Sequence, residues 1–66
     1  MIVVNNKYKL DWYEGMTVRD VLDKMDYTYP LITVSVNKQL VLREDYDIHT
    51  VPNNADVNIF HLAHGG

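Results

Sequence analysis

The chain has 66 residues, of which 47% are hydrophobic and 23% are charged, and it carries a net charge of -3. A chain of this length forms one domain near the lower size limit for folding on a single hydrophobic core, and its composition excludes a disordered chain. The acidic balance argues against nucleic acid as a partner, and the absence of cysteine excludes disulfides, thiolate metal sites and a cysteine nucleophile.

The first twelve residues predict a β-hairpin. Residues 2–4 are β-branched and apolar, and residues 8–12 alternate apolar with polar side chains, as a half-buried strand does. Between the two segments, Asn5 and Asn6 tolerate the left-handed backbone conformation that a tight hairpin turn requires.

One amphipathic helix is predicted to follow, ending near Asp26. Thr17 is a suitable N-cap, and Asp20 stands three residues later, where the carboxylate of a capping box binds the backbone of the cap. Pro30 cannot continue a helix begun upstream, so it limits the helix on its C-terminal side. The apolar residues recur at helical spacing: Val18, Val21, Leu22 and Met25.

A second hairpin is predicted after the helix. Residues 31–36 alternate apolar with small polar side chains, residues 37–39 form the turn, and residues 40–42 return as the second strand.

The C-terminal third lacks clean periodicity until its last strand. Residues 52–56 carry a strong turn signal, and residues 57–62 predict a strand that runs almost directly into the final glycines. The stretch 43–51 has three candidates to anchor it in the core: Tyr46, Ile48 and Val51.

The predicted order is ββαβββ, an α+β fold in which one main helix covers a mixed sheet of four to five strands. This is the β-grasp, or ubiquitin-like, arrangement, in which the first and last strands lie side by side at the centre of the sheet. We therefore expect a single domain over residues 1–66, with a flexible C-terminal tail from about residue 63 that projects from a rigid body.

The sequence contains neither an apolar segment of membrane-spanning length nor a basic run before an apolar stretch at its N-terminus. We therefore expect no membrane partner and a cytoplasmic protein that is monomeric on its own.

The chain ends at Gly65-Gly66. Because glycine lacks a Cβ atom, this tail can enter a narrow channel and present its carboxylate to an active site without obstruction. The alternative is a frayed terminus in which the two glycines occur together by chance.

Four features occur together with these terminal glycines: the Thr17 helix cap, the 34–37 hairpin, the 43–47 segment and the 56–61 strand. With this combination, the whole chain resembles the thiamin-biosynthesis sulfur carrier proteins of the ThiS family. Three positions depart from the family pattern: Lys38 where a glycine usually follows the hairpin asparagine, Leu42 where a proline is common, and His64 in a tail that often carries small residues.

The resemblance implies a protein co-substrate with no permanently bound cofactor, and not an enzyme. A ThiF-like adenylating enzyme of the ubiquitin-activating type would use ATP to convert the Gly66 carboxylate to an acyl-adenylate. Sulfur from a persulfide donor would then give a thiocarboxylate, and thiazole synthase would accept the sulfur. Gly65 would provide the unhindered backbone on which the partner sites close.

Strand alternation places Val57 and Ile59 on one face of the last strand and Phe60 and Leu62 on the other. If the first pair is core, exposed Phe60 and Leu62 form a candidate docking patch beside the tail, and His64 lies just behind the reactive end. The alternative is that the stretch around Tyr46 covers them.

Other groupings carry less weight. His61 and His64 would point to opposite faces of a strand, and His49 is unplaced, so we expect no metal site. Asp45 and Asp47 are a strand-spaced pair without a cleft, which is typical of a solvated edge. The aromatic residues are expected to cap the ends of the core: Trp12, Tyr13, Tyr27 and Tyr29.

Two further functions remain open from the sequence. The thiocarboxylate could serve molybdopterin or another sulfur acceptor instead of the thiamin thiazole. Alternatively, the small fold is a noncovalent ubiquitin-like interaction module whose terminal glycines are incidental.

Overall fold

The computed structural model describes residues 1–27 and 32–61, with His61 described by its backbone alone. The elements are β1 (Ile2–Val4), β2 (Tyr8–Leu10), α1 (Val18–Lys24), β3 (Ile32–Val36), β4 (Gln39–Val41), a 3₁₀ turn (Arg43–Asp45) and β5 (Asp56–His61).

The strands form one mixed sheet in the order β2-β1-β5-β3-β4. Strands β1 and β5 run parallel at its centre, and the other neighbouring pairs are antiparallel. This confirms the β-grasp arrangement with its ββαβββ order. The central position of β5 gives the last described strand a hydrogen-bonded neighbour on each side.

The helix begins where the sequence predicts. The Thr17 hydroxyl accepts from the backbone N–H of Asp20 at 3.3 Å, and the Asp20 carboxylate accepts from the Thr17 N–H at 3.0 Å. The helix ends at Lys24 with Met25 as its C-cap, slightly before the predicted Asp26, because Asp26 has a left-handed φ of 58°.

Both hairpins turn through left-handed residues. Asn5 and Asn6 have φ values of 55° and 56°, and Asn37 and Lys38 have values of 51° and 71°. The second turn therefore needs two residues rather than the predicted three.

Four predicted strand boundaries were wrong. Gln39 is the first residue of β4 rather than part of the turn, and Leu42 lies outside that strand. Strand β2 ends at Leu10 rather than at Trp12, and the Trp12 indole N–H donates to the carbonyl of Val51 at 2.7 Å. The last strand begins one residue earlier than predicted, at Asp56.

The stretch 43–51 is anchored by two of its three candidate residues. Tyr46 and Val51 are buried, whereas Ile48 is 73% exposed, so the prediction for Ile48 was wrong. The N–H groups of Ile48 and His49 both donate to the carbonyl of Asp45, which forms a tight turn that turns Ile48 toward solvent.

The core lies between α1 and one face of the sheet. The helix contributes Val18, Val21 and Leu22 as buried residues, and Met25 packs against the cluster from its edge. The buried sheet residues are Ile2, Val4, Val34, Val36, Val41, Val57 and Ile59, joined from loops by Met16, Tyr46, Val51 and Ala55.

The part of the chain that the structure describes contains no apolar helix of membrane-spanning length.

Candidate functional site

Strand β5 leads to the terminal glycines and is held on both sides. Its first half pairs with β1 through Val3–Asp56 and Val4–Val57, and it pairs with β3 from Val36–Val57 to Ile32–His61. Strand β1 ends at Val4, so it cannot pair with β5 beyond Val57. A side chain provides the next hydrogen bond to β5.

Asn5 supplies that continuation. Its backbone N–H donates to the carbonyl of Val57 at 2.8 Å, and its side-chain Oδ1 accepts from the N–H of Ile59 at 2.7 Å. Its Nδ2 atom donates to the Tyr27 hydroxyl at 3.3 Å. The sequence predicted only a turn role for Asn5, because a contact across 54 residues leaves no local signal.

The predicted alternation along β5 is confirmed where the structure describes side chains. Val57 and Ile59 are buried beneath the helix, whereas Phe60 is 60% exposed on the opposite face. The stretch around Tyr46 therefore does not cover Phe60, because Tyr46 itself is buried in the core. An exposed phenylalanine therefore lies one residue before the end of the last described strand.

Two further apolar side chains accompany Phe60 on the outer sheet face. Ser35 pairs with Asn58 on one side and Leu40 on the other, and Thr33 pairs with Phe60. Leu40 is 67% exposed because its neighbour Val41 faces the core. We call Phe60, Leu40 and Leu42 the outer apolar surface.

Leu42 belongs to this surface by its register. It follows Leu40 by two residues, keeps an extended backbone with φ -74° and ψ 146°, and is 53% exposed. Continuing the β3–β4 pairing by one residue places it opposite Thr33, the residue that also pairs with Phe60. Leu40 and Leu42 were not identified as surface residues from the sequence. The available signal was strand alternation, since a core-facing Val41 places both of its neighbours on the opposite face.

The remaining predicted site residues lie outside the described residues. These are Leu62, His64, Gly65 and Gly66. The backbone of His61 pairs with Ile32, and its side chain is not described.

The described residues contain no group of three His, Asp or Glu side chains that could hold a metal ion. The Asp47 carboxylate is engaged in an ion pair with Arg19 at 2.9 Å, which raises the pKa of Arg19. Both partners are largely exposed, so this pair is a surface contact. The carbonyl of Asp45 accepts the hydrogen bonds of a turn.

Four aromatic residues were predicted to cap the ends of the core, and the structure describes three of them. Trp12 and Tyr27 are partly buried and pack against the core, as predicted. Tyr13 is instead exposed, and partial desolvation together with a hydrogen bond to the Asp20 carboxylate raises its pKa. Tyr29 lies outside the described residues.

Comparison with known proteins agrees with this architecture. The sequence matches the ThiS family model over residues 2–66. No curated protein matches the chain. Among solved structures, the chain is similar to the thiamine biosynthesis protein ThiS from Geobacter metallireducens, with 27% sequence identity, a TM-score of 0.79 and coverage of 98% of this chain and 97% of that chain.

Proposed function

This chain belongs to the ThiS family, and we propose that it is a sulfur carrier protein whose Gly66 carboxylate is converted to a thiocarboxylate. The sulfur is destined for the thiazole ring in thiamin biosynthesis. The observation that carries the proposal is the family match, which extends over the terminal glycines. The similarity to a thiamine biosynthesis protein over nearly the whole chain supports the choice of pathway.

The chemistry begins with activation, because a carboxylate is a poor electrophile. An adenylating enzyme of the ubiquitin-activating type uses ATP, and an oxygen of the Gly66 carboxylate attacks the α-phosphorus with release of pyrophosphate. The product is an acyl-adenylate with AMP as its leaving group. Gly65 and Gly66 carry no side chain, which allows the enzyme to close around this end.

Sulfur transfer then replaces the AMP. The terminal sulfur of a persulfide donor bonds to the acyl carbon, AMP leaves, and a thiol cleaves the S–S bond to release the thiocarboxylate. Its sulfur is ionised at neutral pH and is a strong nucleophile, as thiolates are. Thiazole synthase takes the sulfur, and Gly66 returns as a carboxylate. The carrier needs no cysteine of its own, and it has none.

The folded part of the domain provides the surface that the activating enzyme recognises. The outer apolar surface docks on the activating enzyme, and Leu62 and His64 extend this contact along the tail. An exposed Phe and two exposed Leu side chains on one sheet face support this role. The central pairing of β5 supports it too, since the strand fixes the tail's origin relative to that surface.

A two-variant experiment tests the proposal. ATP–pyrophosphate exchange by the cognate adenylating enzyme is measured with the parental chain, with Gly66→Ala, and with a chain lacking Gly65 and Gly66. We expect exchange with the parental chain, severe loss with Gly66→Ala through steric exclusion, and none with the truncated chain. The truncated chain should still bind the enzyme, because its docking surface is intact. Cellular function that survives the loss of Gly65 and Gly66 would favour the noncovalent module.

A further inference from the structure

A cleft lies on the helix side of the sheet, away from the outer apolar surface. It is an open space of about 280 Å³ lined by Tyr8, Met25, Asp26 and Tyr27. A water molecule occupies about 30 Å³ in the liquid, so the cleft has room for the end of a long side chain. Its lining combines two aromatic rings, a thioether and a carboxylate.

The lining favours a cation. The ammonium of Lys7 lies over the ring of Tyr8, 5.4 Å from its centroid, so this ring already takes part in a cation–π contact. Among residues 1–27 and 32–61, the carboxylate of Asp26 takes part in no ion pair. A carboxylate beside aromatic rings attracts ammonium and guanidinium groups and disfavours anions.

The cleft also lies at the end of the sheet toward which β5 runs. Tyr8 pairs with Val4, and Val4 pairs with Val57, so the three residues form one row across the sheet. Strand β5 continues from this row to His61, about 13 Å further at the usual rise of a strand.

The other aromatic wall is coupled to the same strand. Tyr27 binds the Asn5 side chain, whose Oδ1 atom holds the N–H of Ile59. An enzyme that encloses residues after His61 therefore approaches the cleft as it surrounds this end of the domain.

We propose that the cleft receives a lysine or arginine side chain of the enzyme that adenylates the tail. The inference rests on the proposed function and adds a second contact to it, on the opposite side of the sheet from the outer apolar surface. The cation would lie between the Tyr8 and Tyr27 rings with its charge toward the Asp26 carboxylate.

Steady-state ATP–pyrophosphate exchange with the cognate adenylating enzyme and varied carrier concentration tests this inference. Asp26→Asn removes the charge and keeps a residue that tolerates the left-handed backbone at this position. Asp23→Asn, on the exposed face of α1, removes one carboxylate outside the cleft and is the matched control. Tyr8→Leu removes one ring and leaves every charge in place.

We expect Asp26→Asn and Tyr8→Leu each to raise the KM for the carrier by roughly fivefold with kcat unchanged, and Asp23→Asn to change it less than twofold. Added salt should reduce the difference in KM between the parental chain and Asp26→Asn, because it screens the charge of Asp26. Equal KM values for Asp26→Asn and Asp23→Asn would overturn the inference while leaving the sulfur carrier intact. Absence of exchange with the parental chain would overturn the proposed function and the inference together.

Discussion

The Oδ1 atom of Asn5 accepts a hydrogen bond from the backbone N–H of Ile59 at 2.7 Å. This side chain takes the place of a strand residue, since β1 ends at Val4 and β5 continues to His61. One turn residue therefore closes the first hairpin and holds the strand from which the tail departs.

Replacing Asn5 should destabilise the domain more than replacing its neighbour in the same turn. Asn5→Ala strains the left-handed backbone and leaves the Ile59 N–H without its acceptor, for a loss of about 2–3 kcal/mol in the free energy of unfolding. Asn6→Ala meets only the backbone strain and should lose about 1 kcal/mol. Urea denaturation of both variants measures the difference.

Asn5→Gly separates the two causes. Glycine accepts the left-handed conformation, so this variant loses the side-chain hydrogen bonds alone. Hydrogen exchange of the Ile59 amide should accelerate in Asn5→Gly and remain slow in Asn6→Ala. Equal protection of Ile59 in the two variants would show that the Asn5 side chain does not hold β5.

Lys38 occupies a turn position that suits glycine. Its φ is 71°, and it follows Asn37 at the second central position of a two-residue hairpin turn. Lys38→Gly should raise the free energy of unfolding by about 0.5–1 kcal/mol, because relief of strain exceeds the added entropy of the unfolded chain. Lys7→Gly, at a turn residue without positive φ, should give no stabilisation in the same thermal and urea measurements.

Phe60 should matter for binding and little for folding. Phe60→Ala removes an exposed side chain and should cost less than about 1 kcal/mol of stability, whereas Ile59→Ala empties a buried site and should cost about 2–5 kcal/mol. Calorimetric titration into the adenylating enzyme should show weaker binding of Phe60→Ala. A stability loss comparable to that of Ile59→Ala would place Phe60 in the core and remove it from the docking surface.

The capping box should make stability depend on acid pH. The hydrogen bond from the Thr17 backbone lowers the pKa of Asp20 below its usual 3.8 and outweighs desolvation. The unfolded chain therefore binds this proton more readily, and the contribution of Asp20 is complete above its unfolded pKa and is lost as the pH falls through the lower, folded value.

Thermal denaturation between pH 2 and pH 7 measures this contribution. The parental melting temperature should fall more steeply below about pH 4 than that of Asp20→Asn, whose capping side chain does not titrate. Asp23→Asn lies outside the capping box and should keep the parental slope. An unchanged slope in Asp20→Asn would contradict the assignment.

The sequence predicted those parts of the fold that local chemistry determines. Helical spacing with the Thr17–Asp20 cap located α1, and the asparagine pair located the first turn. The alternation of β5 correctly assigned Ile59 to the core and Phe60 to the opposite face. Each of these features depends on residues close together in the chain.

The errors and omissions arise where a turn has no clear sequence signal or where the pairing of two strands decides which face a side chain occupies. Ile48 looked like an anchor by composition, but a turn closed by Asp45 directs it to solvent. The outer apolar surface needed the β3–β4 register, which brings Leu40 and Leu42 to the face that Phe60 occupies. A two-residue turn at Lys38 instead of a three-residue turn shifted that register by one position.

The central claim is that Gly66 carries sulfur, and the intact mass of the protein isolated from its native cells tests it most directly. The account predicts a population heavier by the difference between a sulfur and an oxygen atom, localised to Gly66 by fragmentation and increased after incubation with ATP, sulfide and the cognate adenylating enzyme. The absence of this species both in the isolated protein and after that incubation would contradict the account.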